Sequence, residues 1–280
     1  MPTYHRRVYH VPAELEETFV SDLWLEGTLG VRSEPGPAGR VRLEAWFDYA
    51  ETPFDEDLWR VQGVDLVAAE EVPAEDWLAG WREWAQPFPV GDALLLDPRE
   101  PDAELPELPA GRRLLRLPAR AAFGTGSHES TSLALELLEA ADVRGRDVLD
   151  VGTGTGVLAF ASLLFGARRA VGFDVDPAAP FHARDNSRLN GLHPSLFAGR
   201  LAAMRDRPRF DLALVNVVPE QILPEMPALV RLLRPGGEAI LSGILAERGR
   251  QVLDRMRGLG MDEVERRAAG DWIAFRVALR

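Results

Sequence analysis

The chain has 280 residues, and its 44 Asp and Glu outnumber 32 basic residues, for a formal net charge of −12. All 32 basic residues are arginine, and cysteine is absent. These absences exclude Schiff-base chemistry on a lysine, a phosphate-loop lysine, a cysteine nucleophile, thiolate metal ligation and disulfides. Chemistry is left to carboxylates, histidines, hydroxyls, amides, the backbone or a cofactor, and no metal site is expected. At 46% hydrophobic and 27% charged, the composition is that of a soluble globular protein of one large or two modest domains. No run of 18 apolar residues occurs and residues 1–10 lead into no hydrophobic segment, so a cytoplasmic location without membrane contact is expected. The acidic balance argues against direct nucleic-acid binding and suits a basic protein partner.

Residues 1–73 read as a small α/β domain. Extended runs at 4–11, 41–49 and 64–72 surround one helix that begins at Pro12 and continues through Leu15, Phe19 and Leu23, with a turn at 33–39. Residues 74–86 predict a helix on which Trp77, Trp81 and Trp84, at i, i+4 and i+7, share one face, the pattern of an anchor packed against a domain or, in the alternative, of an exposed docking face. A larger domain follows over 87–280. It starts with a strand at 93–96 and an acidic, proline-containing stretch at 97–111 that predicts a solvated surface loop. After Leu114, strands at 147–151, 170–173, 195–198, 212–217 and 238–244 alternate with helices. The helices fall around Leu133 and Leu137 and at 157–165, 177–189, 219–233 and 246–259. Two extended runs, 261–267 and 272–279, close the chain. Near-continuous apolar strands separated by helices predict a doubly wound, mostly parallel sheet with an antiparallel edge.

The most informative segment is Asp150-Val-Gly-Thr-Gly-Thr-Gly156, where a strand passes into a helix. A dinucleotide-binding fingerprint would need a glycine at 157, where the chain has Val157, and this disfavours a nicotinamide dehydrogenase. Asp150, two residues before Gly152, would repel a phosphate and suit an ammonium group. Asp174 ends the next strand, 22 residues after Gly152, where a carboxylate can accept hydrogen bonds from two ribose hydroxyls. Asp176, before Pro177, is expected to cap the following helix. Asn216 falls at the carboxyl end of a later strand, the edge that faces the ligand crevice in an open α/β sheet. It is followed by Val217-Val218-Pro219 and lacks the aromatic residue that would stack on a flipped base, which weakens nucleobase methylation. Upstream, Ala122-Phe-Gly-Thr-Gly-Ser-His-Glu-Ser-Thr131 precedes the helix at Leu133. Phe123 there is a candidate for packing on a cofactor and Thr131 for bonding it.

Together these segments resemble the ribosomal protein L11 methyltransferases, class I enzymes that use S-adenosylmethionine. The resemblance rests on residues 122–131, the loop Asp150–Gly156, Gly172-Phe-Asp-Val-Asp-Pro177, Arg184-Asp-Asn-Ser-Arg-Leu-Asn-Gly191 and Leu241-Ser-Gly-Ile-Leu245. It covers 73–280 well and the first 72 residues in outline. It implies a seven-stranded Rossmann-like methyltransferase domain and a smaller substrate-recognition domain, with the helix of residues 74–86 as the linker between them. S-adenosyl-L-methionine is the implied cofactor, held near Phe123, Thr131, Asp150, Gly152, Gly154, Gly156, Asp174 and Asn216. It further implies methylation of lysine side-chain or N-terminal amines of large-subunit ribosomal protein L11, with Asn216 positioning the acceptor and His128 as an auxiliary. The protein is expected to act as a monomer. The alternative is the same chemistry on another protein, an RNA or a small molecule.

Overall fold

The computed structural model describes residues 3–25, 27–28, 30–47, 56–73, 86–118, 128–204 and 207–280. The chain divides into two compact units, Met1–Trp84 and Ala85–Arg280. The three tryptophans of the expected linker helix lie outside the described residues, as does Phe123.

The first unit runs β1 (Thr3–Val11), α1 (Glu16–Leu25), β2 (Gly30–Pro35), β3 (Val41–Phe47), α2 (Glu56–Val61) and β4 (Asp65–Pro73). Its antiparallel sheet has the order β2-β3-β1-β4, a ferredoxin-like βαββαβ arrangement. Among the described residues, α1 and α2 stand where the sequence predicts one helix over 1–73. At six residues α2 is too short to show a helical period, yet it delivers Trp59 to the core. The Phe19 ring meets both Tyr9 and Trp59 edge-on, each at 4.9 Å between centroids. The expected turn at 33–39 is shorter than predicted, because Ser33 to Pro35 continue β2. The opposite strand positions carry ion pairs: Arg6 bridges Glu44 and Glu70 at 2.6 and 2.5 Å, and Arg42 bridges Glu34 and Glu44.

The second unit opens with a small sheet of β5 (Phe88–Val90), β6 (Leu94–Asp97) and β7 (Arg113–Arg116). It continues with α3 (Glu129–Ala140), β8 (Asp147–Val151), α4 (Val157–Leu164), β9 (Arg169–Asp174), α5 (Ala179–Asn190) and β10 (Ser195–Ala198). Then follow β11 (Phe210–Asn216), α6 (Pro219–Ile222), α7 (Met226–Leu232), β12 (Leu233–Leu245), α8 (Gly249–Gly258), β13 (Met261–Ala269) and β14 (Trp272–Leu279). The seven-stranded sheet has the order β10-β9-β8-β11-β12-β14-β13, and β14 alone runs against the others. Both faces are buried, which is why its strands read as apolar runs. Val148, Leu212, Leu214 and Ile240 pack under α3 and α4, while Leu149, Val151, Ala213 and Val215 meet α7 and α8 on the other face.

Three expectations need correction here. The single helix predicted at 219–233 is two, α6 and α7, separated at Leu223 to Glu225. Pro224 lies in that gap, and in a continuous helix it would donate no hydrogen bond and its ring would press on the carbonyl four residues back. Asp97, read as the start of a solvated loop, is fully buried at the end of β6, where Arg99 Nε donates to it at 2.8 Å. Burial raises the Asp97 carboxyl, but the hydrogen bonds and charge of Arg99 more than offset this and hold it below its ordinary value. Asp176 accepts the Ala178 amide at 2.8 Å in the approach to α5, so it braces a turn two residues ahead of the position a capping residue would take.

Candidate cofactor and acceptor site

The carboxyl ends of β8, β9 and β11 converge on the glycine loop. Gly152 has φ +69° and Gly156 φ +88°, backbone conformations that exact a steric cost from any residue with a Cβ. The Gly152 and Thr153 amides both donate to the Phe173 carbonyl at 3.0 Å, fixing the loop to the end of β9. The Gly154 amide donates to Asp174 Oδ2 at 2.9 Å, and the Asp176 amide to Asp174 Oδ1 at 3.0 Å. Asp174 is therefore held in place by backbone donors, and each of its oxygens keeps accepting capacity toward the crevice.

Asp150 is 1% exposed. Its Oδ2 accepts from Thr153 Oγ1 at 2.7 Å and from the Ala159 amide at 3.2 Å, while its Oδ1 is buried without a hydrogen-bond partner. Burial, with a smaller contribution from the Asp174 charge and against the opposing pull of the Thr153 and Ala159 donors, pushes the carboxyl up to about 7.

Asn216 ends β11 directly beside Ser242 of β12. Its Nδ2 donates to Thr131 Oγ1 at 3.0 Å, and its Oδ1 is buried without a hydrogen-bond partner. Val217 follows Asn216 and crosses the mouth of the loop, since a Cβ on Gly152 would lie 2.6 Å from Val217 Cγ2. The structure thus gathers Thr131, Asp150, Gly152, Gly154, Gly156, Asp174 and Asn216 at one end of the sheet.

His128 has a structural place. It caps α3, with Nδ1 accepting the Ser130 amide at 3.2 Å and lying 2.8 Å from Ser130 Oγ, and its ring meets Trp272 edge-on at 4.7 Å. Burial lowers its pKa despite the nearby Glu129 charge, keeping the ring neutral and able to accept. For a histidine depressed in this way the stabilisation is complete above its unfolded pKa, near 6.5, and is lost as pH falls through the folded value. His128→Ala is expected to cost about 1 kcal/mol in urea denaturation at pH 7.5, with the difference shrinking at pH 5. Equal losses at both pH values would refute the capping role.

Sequence reasoning gave no role to two asparagines of α5. The Asn186 side chain donates to the Thr155 carbonyl of the loop at 3.1 Å. Asn190 pairs with the Arg116 backbone in both directions, at 2.8 and 2.7 Å, as a neighbouring strand would. Their only signal was the Arg184–Gly191 motif itself. Among the described residues no group of three or more acidic or histidine side chains is placed to hold a metal ion.

The residues fit S-adenosylmethionine. A methionine ammonium needs acceptors and a ribose needs a carboxylate. The crevice offers two buried oxygens lacking donors and, in Asp174, a carboxylate with capacity to spare.

Comparison with known proteins agrees. The family described as Ribosomal protein L11 methyltransferase (PrmA) matches residues 41–280. The ribosomal protein L11 methyltransferase of Pseudomonas paraeruginosa is 41% identical over 188 residues, 65% of this chain and 61% of that one. The Pseudomonas aeruginosa protein of the same name is 39% identical over 222 residues, 76% of this chain and 72% of that one. The crystal structure of ribosomal protein L11 methylase from Lactobacillus delbrueckii subsp. bulgaricus aligns with TM-score 0.64 and 28% identity, covering 70% of this chain and 99% of that one. The chain spans 61% of the length of the first of these relatives. On the family match and on these relatives, the chain belongs to the ribosomal protein L11 methyltransferase family, the S-adenosylmethionine-dependent enzymes its loop and strand-end residues resemble.

Proposed function

We propose that this chain transfers methyl groups from S-adenosylmethionine to amines of ribosomal protein L11, on lysine side chains, the N-terminus or both. The observation that carries this reading is the buried, unpartnered Oδ1 of Asn216 at the carboxyl end of β11, beside the glycine loop. When bound, the sulfonium cofactor supplies an already activated methyl group, so the protein's task is alignment rather than strong-base catalysis. Asp174 would hold the ribose hydroxyls and Asp150 the ammonium, and the Gly152–Gly156 backbone, free of side chains at its glycines, would let the cofactor approach closely.

Asn216 Oδ1 would accept an N–H of the incoming amine and so orient its nitrogen lone pair for transfer. A lysine amine, ordinarily near pKa 10.4, must first lose its proton. The half-buried Val217 and neighbouring Val218 favour that loss by desolvating it. The first unit is read as the substrate-recognition domain over 1–73, joined through 74–86 to the methyltransferase domain. A net charge of −12 suits a basic protein substrate, and the enzyme is read as a cytoplasmic monomer without direct nucleic-acid contact. No described helix is long and apolar enough to cross a membrane.

Incubation with methyl-labelled cofactor and purified ribosomal proteins should label L11. Asn216→Ala should lower kcat/KM about 100-fold, the scale of a misaligned reactant, in a protein that still folds. Labelling of a different protein, or of RNA alone, would reject the substrate. Unchanged turnover in Asn216→Ala would reject the alignment role.

A further inference from the structure

We propose that Thr131 is a positioning residue that sets which end of the Asn216 amide faces the crevice. This inference rests on the cofactor reading above. An asparagine side chain is nearly symmetric in shape, and turning it over exchanges an acceptor for a donor at the same place. In this crevice the exchange matters, because the ammonium of the cofactor and the amine of the acceptor both present N–H groups.

The orienting contact is the 3.0 Å bond from Asn216 Nδ2 to Thr131 Oγ1. Thr131 is fully buried in the first turn of α3, so water does not compete for its hydroxyl. In that contact the Thr131 oxygen is the acceptor and the amide nitrogen the donor. The amide must then offer its nitrogen to Thr131, and Oδ1 is left buried and unpaired, as observed.

A second bond holds Thr131 in place. Ser242 Oγ donates to the Ser130 carbonyl at 2.6 Å, and Ser242 is the residue of β12 in register with Asn216. The first turn of α3 is thus tied to the ends of two adjacent strands, at positions 85 and 112 residues away in sequence.

The test is a thermodynamic cycle on cofactor binding, read by calorimetry, with Thr131→Val, Thr131→Ser, Asn216→Ala and the Thr131→Val/Asn216→Ala double variant. Thr131→Val keeps the shape and removes the hydroxyl, and should weaken binding about tenfold; Thr131→Ser should stay within threefold. In the Asn216→Ala background, Thr131→Val should change the dissociation constant less than twofold, because no amide remains to be oriented. A tenfold loss in both backgrounds would overturn the proposal and assign Thr131 to the cofactor directly. The ligand-free protein gives a second readout. The Asn216 side-chain amide proton signals, identified by their loss in Asn216→Ala, should shift in Thr131→Val and recover in Thr131→Ser. Unchanged signals in a folded Thr131→Val protein would also overturn it. If wild-type protein binds no S-adenosylmethionine while these signals respond as expected, the cofactor reading fails and the orienting role of Thr131 stands.

Discussion

Asp150→Asn is expected to stabilise the ligand-free protein at pH 8 by as much as about 4 kcal/mol. The wild-type carboxyl is wholly buried, has an oxygen with no hydrogen-bond donor, and is raised from 3.8 to about 7. Because the folded value lies above the unfolded one, the stability associated with the protonated acid is complete below pH 3.8 and is lost as pH rises toward about 7. Each tenfold difference in proton affinity between the folded and unfolded chain is worth about 1.36 kcal/mol, which sets the size of the effect. The asparagine amide mimics the protonated acid at every pH, so its advantage should fade to well under 1 kcal/mol by about pH 4. Urea denaturation of both proteins from pH 4 to 8 measures this directly, and parallel stability curves would refute it. The same substitution should weaken cofactor binding, since a neutral amide attracts an ammonium far less than a carboxylate does. Stability and function therefore oppose each other at this residue, as expected where a charge is kept buried for a ligand.

Gly156→Val should cost about 3 to 5 kcal/mol, through two mechanisms that act together. The residue has φ +88°, which a β-branched side chain tolerates poorly, and a Cβ there would lie 2.4 Å from Cζ of Phe160, a ring with no exposed surface. Gly152→Ala makes an instructive contrast. Its φ of +69° is also left-handed, but the nearest atom to its Cβ is the Val217 Cγ2 methyl, at the end of a half-buried side chain rather than on a fully buried ring. The Gly152 variant should lose cofactor binding with a smaller stability loss, about 1 to 2 kcal/mol. A Gly156→Val protein as stable as wild type in urea would show that the loop can rebuild itself around the side chain.

The site was more legible in the sequence than the first unit, for physical reasons. Asp147 to Val151 is an apolar strand that runs into three closely spaced glycines, and strand, loop and helix all leave composition signals there. Asp174 and Asn216 could be placed because strand ends in a parallel sheet share one edge. The six residues of α2 and the three of β5 carry too few side chains to reveal a period. The division between α6 and α7 was marked by Pro224, but the apolar pattern on both sides outweighed it. The partners of Asn186 and Asn190 are tertiary, and no local pattern announces them. Asp147 shows the same limit at the opposite end of β8. There the buried carboxylate accepts from Arg168, Arg169 and Arg234, residues that only the folded sheet brings together. Burial raises its pKa, but these arginines outweigh that and hold it below its usual value.

The position of β14 bears on how the protein is made. It follows β12 and β13 in the chain yet lies between them in the sheet, pairing with both. During synthesis β12 emerges with an open hydrogen-bonding edge, and β13 emerges with no neighbour to join. Ser242, beside Asn216, sits on that waiting strand. Until residues 272–279 are available, β12 has an unsealed edge open to mispairing, and pairing with β14 closes it.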